Sequence, residues 1–151
     1  MVPVGSVRAM GHQTKVQGDA RVRCRVASRE VTALTWIGVA VLGGLGAVGR
    51  FLVDGWVGAR FGRELPLGTF AINVSGAFAL GLLDGLALSG NAMIVAGTAA
   101  IGAYTTFSTW MFETHRLAED GEFGAAALNI GASIVAGFAA VVLGHLLGSH
   151  L

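Results

Sequence analysis

In the stretch GTFAINVSG, Thr69, Asn73 and Gly76 stand at i, i+4 and i+7, so one helical face carries all three. An asparagine amide offers two N–H donors and one acceptor. Deep in an apolar setting it can bind an anion without carrying formal charge, or bond across to a neighbouring helix and hold a bundle together. A second polar cluster lies in IGAYTTFSTWMFE, where Thr105, Thr106, Ser108 and Thr109 follow Gly102. Hydroxyls and glycine at that density predict a broken or locally unwound helix. Its freed carbonyls can coordinate a cation, as in discontinuous transporter helices. Phe107 and Trp110 are three apart and share a face. Aromatic rings have positive edges that can line an anion path, or they can simply pack into a core. Further along, Asn129, Ser133, Gly137, Ala140 and Gly144 form a small or polar stripe at helical spacing. Arg50 closes GGLGAVGR, placed either to snorkel toward head groups or to draw anions into a vestibule. His145 and His150 have no visible partners and read as interfacial.

Other chemistries are excluded by what is missing. The one cysteine, Cys24, supports neither an intramolecular disulfide framework nor a cysteine metal cluster. No Ser/His/Asp or His/carboxylate cluster falls inside the apolar stretches, so the chain does not read as an enzyme. A formal net charge of +1 gives no footprint for nucleic acid.

The elements that must position these residues are membrane helices. Charged residues make up 13% of the chain, against about 25% in soluble domains, too few to cover a sphere of this size. The 24 glycines and only 2 prolines fit helices packed closely in lipid. Four apolar stretches, 31–51, 67–88, 91–112 and 123–147, each approach or exceed the roughly 20 residues a bilayer-spanning helix needs. None has a polar face wide enough to meet water, which argues against a soluble bundle. The connections are short. The first carries Asp54, Arg60, Arg63 and Glu64, the second is little more than Ser89 and Gly90, and the third carries His115, Arg116, Glu119, Asp120 and Glu122. Such loops imply antiparallel neighbours. Residues 1–30 read as a disordered basic tail ahead of a single domain over 31–151. Lys and Arg near the spans are almost evenly divided between the two sides, a weak bias that either permits insertion in both directions or simply reflects a small protein with short loops.

GGLGAVGRF, PLGTFAINVSGAFALG and GAYTTFSTWMFE, in that order and spacing, resemble the CrcB/Fluc fluoride channels over residues 38–147. The pairing of GTxxxNxxG with TTFST is the specific part. The resemblance implies an all-α integral membrane protein of four transmembrane helices, the third broken near mid-membrane. It further implies an antiparallel, dual-topology dimer with pores along the subunit interface, in a bacterial cell membrane. A structural sodium ion would sit on the dimer axis, held by the backbone carbonyls of Gly102 and Thr105. Fluoride would pass Asn73, Phe107, Ser108, Thr109 and Ser133, with Arg50 and Glu113 at the vestibule. Two positions depart from the family pattern. Trp110 replaces the second pore phenylalanine, and Asn129 stands where a tyrosine is often found.

Fluoride is small and holds its water tightly, so a selective pore must replace that water with many directed, individually weak donors. No energy source is visible in the chain, so export would be passive. A proton-coupled drug transporter of similar size would need a membrane-embedded carboxylate, whereas Asp54 and Asp84 sit near span ends. A purely scaffolding subunit is the other alternative. Whether two identical chains pair, or one pairs with a sister chain, stays open at the level of sequence.

Overall fold

The computed structural model describes residues 33–62 and 64–151. The tail expected over 1–30 lies outside the described residues, as do the start of the first apolar stretch and Arg63. Among the described residues every element is helical.

Helix α1, Ala33–Phe61, runs for 29 residues, ten beyond its expected end. Asp54 and Arg60, expected in a loop, therefore lie on its last turns. Nothing in LVDGWVGARF breaks a helix, and Leu52, Val53, Trp56 and Val57 keep apolar residues at helical spacing. At 1.5 Å per residue α1 is about 43 Å long. That exceeds the roughly 30 Å hydrocarbon core, so its charged end has room to stand clear of it. Gly62 ends the helix at φ +83°, a left-handed cap in which its N–H donates to the Gly58 carbonyl at 3.1 Å.

Helix α2, Leu67–Gly85, follows Pro66. The third apolar stretch is built in pieces. A short α-helix α3, Asn91–Met93, widens into a π-helix π1, Ile94–Ile101, and narrows again to α4, Gly102–Tyr104. Thr105 and Thr106 are both extended, and α5, Phe107–Glu119, begins directly after them. His115, Arg116 and Glu119, expected in a loop, are helical within α5. Helix α6, Phe123–Ser149, completes the chain. Of these, α1, α2 and α6 are long and apolar enough to cross a membrane.

Packing runs through glycine. A Cβ on Gly81 would strike the Val141 backbone, and one on Gly144 the Phe78 carbonyl and Leu82 N–H. Gly85 and Gly148 repeat this reciprocal contact one turn further along, against His145 and Leu82. Helices α2 and α6 therefore meet backbone to backbone. On the other side α1 lies against the third stretch: a Cβ on Gly46 would strike the Ala100 carbonyl, and one on Gly49 would stand 3.7 Å from the Tyr104 ring. His145, expected to lack a partner, bonds through Nδ1 to Asp84 Oδ2 at 2.9 Å, because that close approach brings the ends of α2 and α6 together. Among the described residues the buried apolar ones are few and mostly small, Val57, Ile72, Ala126 and Ala140, while Phe51, Phe107 and Phe138 are exposed. A chain with so little interior and so large an apolar exterior is built to be covered.

Candidate functional site

The site forms around the break. Two consecutive extended residues take the chain out of the helical ladder, so backbone groups on either side need other partners. Asn73 supplies them from α2. Thr106 N–H donates to Asn73 Oδ1 at 2.9 Å, and Asn73 Nδ2 donates to the Thr106 carbonyl at 2.9 Å. In an unbroken helix the Gly102 carbonyl would accept from Thr106 N–H, and the Thr105 carbonyl from Thr109 N–H. The first of these donors is taken by Asn73. The second is taken by the Thr106 hydroxyl, which caps α5 by accepting from Thr109 N–H at 3.3 Å. The break thus leaves the carbonyls of Gly102 to Thr105 without helical donors, and Gly102 and Thr105, the two residues expected to hold a cation, are among them. The space beside Gly102 is open, with nothing within 4 Å of where a Cβ would stand. Thr105 itself finishes the preceding helix, sending its N–H and its hydroxyl to the Ile101 carbonyl at 2.9 and 3.0 Å.

Gly76 lets this segment reach α2, since a Cβ there would collide with Thr105. Tyr104 and Ser75 share a hydroxyl bond of 2.9 Å on the same side. The break is therefore held from one side by Asn73, Ser75 and Gly76, all on α2.

Beyond the break the hydroxyls cluster. Thr106 Oγ1 donates to Thr109 Oγ1 at 3.0 Å, with Ser108 Oγ 3.4 Å away. Phe107 and Trp110 meet edge to face, with ring centroids 5.6 Å apart and planes at 62°. Phe107 is 72% exposed on the single chain, whereas Trp110 is half-buried. Among the described residues, three buried side-chain polar atoms lack a hydrogen-bond partner: Trp110 Nε1, Ser133 Oγ and Glu113 Oε2. An unpaired buried polar group is costly, so each calls for an explanation. All three belong to residues expected to line a path or its mouth.

Glu113 opens onto a cleft of about 520 Å³ together with Asp54, Glu64, Arg116 and Asp120. Arg50 does not line it. It sits half-buried on α1, next to Gly49, where a Cβ would stand against the Tyr104 ring.

Sequence reasoning counted Thr106 only among the hydroxyls that mark the break and gave no role to Thr114, yet each bonds to a neighbouring helix. Thr106 links Asn73 to the hydroxyl cluster. Its signal was a threonine three residues ahead of another at the start of a helix. Thr114 accepts from Asn129 Nδ2 at 2.8 Å and donates to the Trp110 carbonyl at 2.7 Å. Nothing in sequence pairs residues 114 and 129, because their meeting depends on how α5 folds back on α6.

Comparison with known proteins matches residues 37–145 to the family described as CrcB-like protein, Camphor Resistance (CrcB). The chain is 55% identical over 116 residues to the "Fluoride-specific ion channel FluC 2" of Mycolicibacterium paratuberculosis, covering 77% of this chain and 95% of that one. A protein of the same description from Mycobacterium tuberculosis is 52% identical over 119 residues, 79% of this chain and 94% of that one. The "Fluoride-specific ion channel FluC" of Acidobacterium capsulatum is 43% identical over 123 residues, 78% of this chain and 98% of that one. These matches and the long apolar helices together describe a multi-pass protein of the bacterial cell membrane. With its break, its glycine contacts and its polar face included in the matched region, the chain belongs to the CrcB-like family.

Proposed function

We propose that this protein is a fluoride-selective channel, not an enzyme, which lowers internal fluoride by letting the anion leave down its own gradient. The relatives' names supply the ion. The observation that carries the reading to this chain is the break at Thr105–Thr106, sealed by Asn73 on one side and open beside Gly102 on the other. Non-helical backbone at membrane depth is tolerated only where protein or an aqueous path covers it. A second copy, inverted, is the cover we propose. The third stretch then counts as a fourth span in two halves, and the pores run along the interface of an antiparallel dimer.

The two carbonyls with diverted donors, Gly102 and Thr105, fit a hard monovalent cation, and two copies would offer four oxygens. Sodium bound there would offset part of the cost of an anion in a low-dielectric setting. Phe107, with its exposed ring, Ser108, Thr109, Ser133 and the Trp110 indole N–H would supply the pore's weak, multiple donors. Asn73 holds the break open and keeps its second amide N–H for the anion. Glu113 and its acidic neighbours form one mouth.

Fluoride efflux from liposomes tests the proposal. Purified chain should release loaded fluoride, and not chloride, once an ionophore provides charge balance. Release no faster than from protein-free liposomes would refute it.

A further inference from the structure

We infer that Asn129 and Thr114 are positioning residues for Trp110, acting through a directed chain of hydrogen bonds rather than by touching the ion. The proposal rests on the reading that Trp110 lines the path. The direction of the chain follows from donor inventory. Asn129 Nδ2 can only donate, so Thr114 Oγ1 accepts at 2.8 Å. The Thr114 proton is then committed to the Trp110 carbonyl at 2.7 Å. Both residues are buried, at 8% and 5% exposure. Aligned bonds in a dry setting polarise one another.

The need for such a tether follows from how α5 is mounted. This half-helix begins at the break, rests mainly on α6 and has little contact with α2. Trp110 and Thr114 are one turn apart on it, and Asn129 comes from α6, which is locked to α2 through the glycine contacts. The bond from Asn129 therefore transfers the fixed position of α6 to the backbone of the residue that carries the unpaired indole N–H.

The test uses the full chain with Trp36→Phe and Trp56→Phe, both exposed on α1, so that Trp110 is the sole tryptophan. Thr114→Val keeps the shape and removes the hydroxyl, and Thr114→Ser restores it. Fluorescence anisotropy decay of Trp110 should show faster ring motion in Thr114→Val and in Asn129→Leu, and parent-like motion in Thr114→Ser. Fluoride flux should fall about fivefold in the first two, the scale of one lost hydrogen bond, and recover in the third. The double variant should be no worse than either single one, because one chain is broken in each case. Parent-like anisotropy in Thr114→Val, or equal damage from Thr114→Ser, would overturn the proposal. Mobilised Trp110 with unchanged flux would support the positioning role and refute the pore role of Trp110.

Discussion

Asn73 makes two hydrogen bonds to Thr106, and this changes how its substitution should be interpreted. Aspartate there keeps an acceptor for Thr106 N–H but sets a second, negative oxygen against the Thr106 carbonyl. Asn73→Asp should therefore reduce fluoride flux to background while gel filtration still finds the parent's assembly. It should also shrink any rise in melting temperature that sodium produces, because repulsion between the new oxygen and the Thr106 carbonyl disturbs the backbone of the break. An intact sodium effect with lost flux would confine Asn73 to the anion path, and parent-like flux would deny it both roles. Trp110 poses the complementary question. Its indole N–H is buried without an acceptor, and the ring leans edge to face on Phe107. Trp110→Phe removes the donor and shrinks the ring, so fluoride conductance should change while selectivity against chloride is kept. Conductance and selectivity both identical to the parent would take Trp110 out of the path.

Among the elements, the α2–α6 pair has the least tolerance for change. At Gly81 and Gly144 an added side chain meets backbone, not a flexible neighbour. Gly144→Leu should destabilise the protein by about 1–3 kcal/mol or more, the cost of overpacking, seen as easier unfolding in a detergent titration. The same substitution at Gly44, which faces open space in the single chain, separates packing within the chain from packing between chains. The α6 side of the glycine contacts was legible as the stripe that runs through Ala140 and Gly144, because small residues at helical spacing announce a close neighbour whatever that neighbour is. The break was legible too, since Gly102 and four hydroxyl residues in a short run contradict an unbroken apolar helix. The π-helical turns over Ile94–Ile101 were not, as nothing in IVAGTAAI separates an α-helical ladder from a π-helical one. The end of α1 was missed because charge was read as loop. Asp54 and Arg60 instead lie on a helix that continues until Gly62 adopts a backbone conformation suited to glycine. The Asn129–Thr114 bond was beyond sequence reasoning, for it is fixed by tertiary approach alone.

For the whole molecule, membrane labelling tests the inverted second copy proposed to cover the open side of the break. With Cys24 replaced, single cysteines at Glu64 and at Ser89 lie on exposed connections at opposite ends of α2. In a dual-topology assembly each should be labelled from both sides of the membrane. Labelling of each from one side only would refute an inverted pair of identical chains and direct the search to a sister chain. Replacing sodium by an impermeant organic cation should suppress flux without altering the driving force, and unaltered flux would remove the cation from the mechanism. The glycine-to-glycine seam has a further consequence, in time rather than in space. Backbones that touch have no intervening layer of side chains to hop between rotamers, so α2 and α6 should fluctuate as one body. Helix α5, mounted on that body along one side and cut free at Thr105, is the piece left able to open locally. Amide hydrogen exchange should then divide the molecule unevenly, with the seam exchanging last and the first turns of α5 early, and any gating motion should be sought in that half-helix.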